Sequence, residues 1–209
     1  MAWIDGYYRR PRIDKELLEA HSEGLIVCSA CLGGEIPQHI IAGNMDEAEK
    51  SIMWFKEVFG DDYYLEIQRH KTDKPGADKN VYQRQKQVNK KILELAEKTN
   101  TKVIATNDVH FVEEEHAEAH DRLICLSTGK DLDDPNRMRY TKQEWLKTPE
   151  EMAEIFADVP EALANTMEIA DKVEVYSLDR GPIMPMFDIP AEFGTEEEYR
   201  QKFSHEDLF

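Results

Sequence analysis

Read as a pattern of apolar and polar positions, the first half of the chain alternates between strand-like and helix-like segments. The short apolar run "GLIVCSA", Gly24 to Ala30, predicts a buried strand. In "NMDEAEKSIMWFKEVFG" the residues Ala48, Ile52, Phe55 and Phe59 recur at helical spacing and the pattern stops at Gly60, so a helix is predicted there. "YYLEIQ" (Tyr63 to Gln68) reads as a second strand, "VYQRQKQVNKKILELAEKTN" as a second helix, and "KVIATND" as a third strand. Strands separated by helices of this length favour parallel pairing with right-handed crossovers.

Past Phe111 the pattern changes. "EEEHAEAHDRLICLSTGK" reads as helical with an acidic first turn, and no strong strand follows it. In "KTPEEMAEIF", Thr148 is placed to cap, Pro149 fits the first helical position, and Glu151 completes a capping box. Another helix starts around Pro160 and runs through "EALANTMEIADKV". Beyond it, "SLDRGPIMPMFDIPAEFGTEEEYRQKF" is rich in Pro and Gly and predicts an extended connector leading into a further acidic helix. There is no internal repeat and no low-complexity tract.

Composition narrows the picture. At 209 residues the chain has room for one substantial core, or for one domain with an appendage, and 41% hydrophobic with 33% charged residues describes an ordinary globular protein. No apolar run approaches the length of a membrane span, so no membrane partner is expected. The start "MAWIDGYYRRPRID" lacks the basic segment and apolar core of a secretory signal, which makes the cytoplasm the expected compartment. Cys28, Cys31 and Cys125 are an odd number with no dense framework and read as reduced thiols. The balance of 43 acidic against 26 basic side chains gives a formal net charge of −17, a surface that repels a phosphate backbone. No direct DNA binding is expected of this chain; if a larger parent protein handles DNA, the grip lies elsewhere.

Candidate chemistry gathers at the predicted strand ends. "VIATNDVHF" closes an apolar run with Asp108 and His110, one residue apart, and strand alternation projects that carboxylate and imidazole to the same side. In a parallel sheet or barrel the strand C-terminal ends open on one face, where Cys28 or Cys31, the Glu66 to His70 stretch, and Asp108 with His110 converge. A thiolate, an imidazole and a carboxylate together suit zinc or another borderline divalent metal. Each residue has a plainer reading beside this one. A lone Cys after a strand, as Cys31 is, is most often a small buried hydrophobe, His70 in "QRHKTDK" reads first as part of a solvated basic loop, and Asp108 also reads as a turn cap. His116 and His120 lie four apart but outside any HExxH pattern, and read as surface histidines.

Six segments in order, "YYRRPRIDKELL", "GLIVCSACLGGEI", "YYLEIQRH", "VIATNDVHF", "EAHDRLICLSTGK" and "DVPEALANTMEIADKVEV", resemble the PHP domain of the bacterial DNA polymerase III alpha-subunit family, nearly from end to end. The resemblance implies an α/β fold: a partial PHP-type (β/α) barrel with parallel strands, followed by helices and an extended linker. It places residues 1–177 in the C-terminal part of the PHP domain and 178–209 in the linker into the polymerase core. It makes Cys31, Asp108 and His110 metal ligands, with Glu66 and His70 supporting them or lining the cleft, and assigns no catalytic residue to this chain, because the family's palm carboxylates lie beyond Phe209. The family's metal site also draws on an N-terminal HxH motif and further upstream ligands, and this sequence contains no HxH. A divalent ion (Zn, Mn or Mg) is therefore expected in the complete site and weakly held, or not held, here.

For the parent, the resemblance implies a DNA-directed DNA polymerase carrying out template-directed synthesis in chromosome replication, with DNA, deoxynucleotides and other replisome subunits as partners; the isolated chain is expected to be inactive. In a complete site the metal ions would polarise a phosphoryl oxygen and activate a bound water, as phosphoester hydrolysis requires. In some relatives such a site supports 3′-5′ exonuclease proofreading and in others the domain is structural, a choice the sequence leaves open. Two other readings stand beside the polymerase: a free-standing PHP-type metal-dependent phosphoesterase, and a non-catalytic scaffold module.

Overall fold

In the computed structural model, which describes residues 2–177, 179, 181–182 and 194–202, the chain opens with a two-residue antiparallel ladder between β1 (Tyr7–Tyr8) and β2 (Arg10–Pro11). α1 (Lys15–Ala20) follows, started by Asp14, whose carboxylate accepts the Leu17 N–H at 2.9 Å. Then come β3 (Val27–Cys28), α2 (Glu35–Ile41), α3 (Met45–Phe59), a 3₁₀ turn at Gly60–Asp62, and β4 (Tyr63–Gln68). α4 (Asn80–Thr99), β5 (Val103–Thr106), a 3₁₀ turn at Glu114–His116, α5 (Ala117–Thr128), α6 (Pro149–Ile155) and α7 (Pro160–Lys172) complete the first of two compact units, Met1–Val173. The second, Glu174–Phe209, contains α8 (Glu196–Lys202); the predicted connector falls mostly on 183–193, outside the described residues.

The sheet is small and wholly parallel, in the order β3-β4-β5, with Cys28 opposite Tyr64 and Gln68 opposite Thr106. The α/β pattern expected from the sequence is present. β4 lies in the middle, which accounts for a strand that is buried along nearly its whole length rather than on alternate residues. Tyr63, Leu65 and Ile67 pack with Ile36, Ala48, Ile52, Val88 and Ile92 from α2, α3 and α4 into one apolar core. α4 meets that core through residues spaced three and four apart, and stops where Asn100 adopts a left-handed conformation.

Two local expectations need correction. The first predicted strand is only two residues long: the Ser29 N–H still donates to the Tyr64 carbonyl at 3.0 Å, but the next N–H, of Glu66, goes to the Ser29 hydroxyl at 2.8 Å, and Ala30 turns the chain at φ 63°. A helix the sequence pattern did not predict also follows it: "CLGGEIPQHI" leads into α2. Pro37 falls in the first turn of that helix, where an N–H has no intrahelical partner to lose, and a Cβ on Gly34 would sit 2.2 Å from the Ser29 carbonyl oxygen. The capping box on α6 is formed as the sequence predicts: Thr148 Oγ1 accepts from Glu151 N at 3.2 Å and the Glu151 carboxylate from Thr148 N at 2.8 Å. No helix among the described residues is long and apolar enough to cross a membrane.

Candidate functional site

Beyond the C-terminal ends of β3, β4 and β5 lies an open cleft of about 200 Å³, lined by Cys31, His70, Asp108, Arg139, Tyr140 and Glu144 among others. Its floor is a set of groups whose hydrogen-bonding capacity is already used. His70 is 3% exposed, not the solvated loop residue that "QRHKTDK" suggests. Its backbone N–H donates to Gln85 Oε1 at 2.8 Å, which turns the Gln85 amide nitrogen toward His70 Nδ1, 3.1 Å away. An N–H cannot face an N–H there, so Nδ1 is the acceptor and Nε2–H donates to the Asn107 carbonyl at 3.0 Å. The imidazole is therefore neutral, and burial holds its pKa below the usual histidine value against the opposing pull of Glu144, 3.8 Å away. With both nitrogens engaged, His70 positions Asn107 rather than offering a lone pair to the cleft.

Asn107 and Glu144 tie the far wall to β5. The Asn107 amide donates to the Gln143 and Trp145 carbonyls at 2.9 and 2.7 Å. Glu144, 2% exposed, accepts from Thr141 N, Thr141 Oγ1 and Gln143 N at 2.9, 2.5 and 2.9 Å, and its backbone oxygen accepts the His110 N–H at 2.8 Å. Sequence reading missed Glu144. The only signal was Thr141 three residues ahead of it, a capping-box spacing with no helix behind it.

Asp108 and His110 are close, but not by strand alternation. β5 ends at Thr106, and Asp108 adopts φ 46°, turning the chain where the sequence suggested a continued strand. His110 then folds back so that its Nδ1–H donates to the Asp108 carbonyl oxygen at 2.6 Å, an arrangement that in the neutral ring puts the lone pair on Nε2, as in many metal-binding histidines. Its ring lies 4.7 Å from that of Tyr140 and 5.4 Å from that of His120. His120 is accordingly half-buried among aromatic rings rather than a surface histidine, while the His116 Nδ1 accepts the Glu113 N–H at 3.3 Å. Burial raises the pKa of Tyr140, with Asp108, Glu144 and Cys31 acting in the same direction.

Cys31 and Asp108 share the cleft, while Glu66 lies behind Cys31, accepting from Gln68 Nε2 at 2.7 Å and from the Thr106 hydroxyl. Cys28 sits on the strand itself; burial, with the nearby Glu66 charge, pushes its thiol up to about 11, the behaviour of an inert buried cysteine. The donors do not amount to a closed metal site: among the described residues no three His, Cys, Asp or Glu side chains are gathered closely enough to hold one ion. Cys31, Asp108 and His110 would give three donors at most, where a structural zinc takes four.

Comparison with known proteins fits this architecture. Residues 1–70 match the family model of the PHP domain. The chain is 41% identical over 210 residues to the DNA polymerase III subunit alpha of Borreliella burgdorferi, covering all of this chain and 17% of that protein. The corresponding protein of Treponema pallidum is 38% identical over 210 residues with the same coverage, and that of Campylobacter jejuni 39% over 206 residues, covering 93% of this chain and 16% of the relative. The chain thus spans about one-sixth of the length of the relatives it matches. It is with the alpha subunits of DNA polymerase III that this chain shares its sequence, from one end to the other.

Proposed function

We propose that this chain is a portion of the alpha subunit of a DNA polymerase III, and that the whole protein is a DNA-directed DNA polymerase extending primers with deoxynucleotides in company with other replisome subunits. The observation that carries this reading is the coverage: the alignment takes in 100% of this chain and only 17% of the relative. Residues 1–177 are assigned to the C-terminal part of the PHP domain and 178–209 to the passage into the polymerase core.

For the complete site of the whole protein, the reading assigns Cys31, Asp108 and His110 as donors to a divalent ion, zinc, manganese or magnesium, which this chain alone holds weakly or not at all. Supporting it are the shared position of Cys31 and Asp108 and the free Nε2 of His110. His70 is assigned the task of holding Asn107, and through it the turn at Asp108, while Glu66 backs the cleft. Because these donors do not close a site, no hydrolytic step is assigned to the chain, and alone it is expected to show neither primer extension nor exonuclease turnover.

The test is immunoprecipitation from the source cells with antibodies raised against residues 1–209. The precipitate should extend a primed template in the presence of Mg²⁺ and deoxynucleotides. A precipitate that contains the chain but synthesises no DNA would overturn the reading, and one that instead hydrolyses phosphomonoesters in a metal-dependent way would favour the free-standing phosphoesterase.

A further inference from the structure

The N-terminal hairpin carries an unusual surface. Trp3 and Ile4 are 73% and 83% exposed, and Tyr7, Tyr8 and Ile13 are exposed beside them. Trp3 stacks on Tyr7 with ring centroids 5.6 Å apart, and the guanidiniums of Arg9 and Arg12 lie over Tyr8 at 5.6 and 5.8 Å. In a chain of net charge −17, Arg9, Arg10 and Arg12 fall within four residues, and none of them forms an ion pair among the described residues. Among the described residues the guanidiniums over Tyr8 make no hydrogen bond through their N–H edges.

This surface is built rather than loose. Arg12 N–H donates to the Gly6 carbonyl at 3.1 Å, and a Cβ on Gly6 would come within 2.1 Å of the Arg12 carbonyl oxygen, so the two sides of the hairpin are in direct backbone contact. Arg9, between the paired residues Tyr8 and Arg10, is held at φ 61°, a conformation unfavourable for a residue with a side chain and one that persists only when its surroundings demand it. Trp, Tyr and Arg are the residue types that dominate binding energy at protein interfaces, and the flanking isoleucines suit aliphatic side chains better than nucleobases. The charge calls for carboxylates in the partner.

We propose that this hairpin seats another segment of the same, longer polypeptide, one that offers acidic side chains beside apolar ones. The proposal rests on the alpha-subunit reading, under which about five-sixths of the protein lies outside these residues, since the chain covers 17% of its relatives. Trp3, Tyr7 and Tyr8 receive the apolar part of that segment, and Arg9, Arg10 and Arg12 its carboxylates. The aliphatic character of Ile4 and Ile13 favours a protein segment over a nucleic acid strand, which the overall charge of −17 also opposes.

Hydroxyl-radical footprinting with peptide mass spectrometry tests this on the 209-residue chain and on the longer polypeptide side by side. Trp3, Tyr7 and Tyr8 should label at least about five-fold less in the longer polypeptide, as residues at the centre of an interface do. The double variant Arg9→Glu, Arg10→Glu should restore their labelling there and change nothing in the 209-residue chain. Equal labelling in the two proteins overturns the proposal while leaving the alpha-subunit reading intact. Protection that rises with concentration of the 209-residue chain alone assigns the seat to a second copy, and protection only on adding single-stranded DNA assigns it to nucleic acid; either result overturns it. If no longer polypeptide is made, both readings fall.

Discussion

Replacing His70 by glutamine isolates one proton. In the folded chain the imidazole is neutral, because Gln85 presents an N–H to Nδ1 and the Asn107 carbonyl takes the proton on Nε2. Protonation would set two N–H groups against each other and charge a buried ring, and burial accordingly lowers the pKa from the usual 6.5. The unfolded chain then binds the proton more readily than the folded one. Stability is whole above about pH 6.5 and falls on acidification toward the folded-state pKa, by up to about 1.4 kcal/mol per pH unit for a single proton. Between about pH 6.5 and 5.5 this amounts to no more than about 1 kcal/mol, set by protonation of the unfolded state. Urea unfolding of the natural protein and of His70→Gln at about pH 7.5, 6.5 and 5.5 measures it, since the constant cost of the substitution cancels when slopes are compared. The natural protein should lose more stability than the variant below pH 6.5. His120, whose pKa burial also lowers, is present in both proteins and drops out of the difference. Parallel slopes would show that burial does not lower the His70 pKa, and a natural protein that gains on acidification relative to the variant would show that Glu144 keeps His70 charged; either result would refute the assignment of the proton.

The other expectations are more direct. Leu65→Ala, at a fully buried position in the central strand, should cost about 2–5 kcal/mol in chemical denaturation with an unchanged denaturant slope. Thr148→Ala removes the acceptor for Glu151 N and should cost about 1 kcal/mol, a fall of about 2–4 °C in a thermal melt. Protein purified without added metal should contain less than one equivalent of zinc by elemental analysis and release it to a mild chelator. In calorimetric titration Cys31→Ser should weaken what binding remains, and affinity should fall on acidification, because protons compete with the metal for its donors. Stoichiometric zinc that survives chelation would show that the ligands were undercounted.

How far the sequence could be read depended on whether a residue's role was local. α3, α4 and β4 were legible because their apolar periodicity is written into consecutive residues, and α6 because its cap and its Pro149 lie within four positions. β3 was overread: "GLIVCSA" is apolar throughout, but where pairing ends is decided by Ser29 bonding to Glu66, 37 residues away. α2 was missed since paired glycines and a proline signal a turn, and only the close approach of Gly34 to Ser29 shows why they precede a helix. At the site, Asp108, Cys31 and His110 stood out by residue type. The burial of His70 did not, because the Gln85 and Asn107 partners that neutralise it come from α4 and from the end of β5. Glu144 was invisible for the same reason, its neighbours being set by a wall that folds back from residues 141–145 onto His110.

Whether these residues are a segment of a polymerase alpha subunit is decided by the size of the polypeptide that carries them in the source cells. Whole-cell protein separated by mass in denaturing gel, with tryptic peptides of residues 1–209 identified in each slice, gives that size. Because the chain covers 17% of its relatives, the peptides should run together in one slice at about six times the chain's own 24.3 kDa. Peptides confined to a slice near 24.3 kDa, with none at higher mass, would contradict the claim.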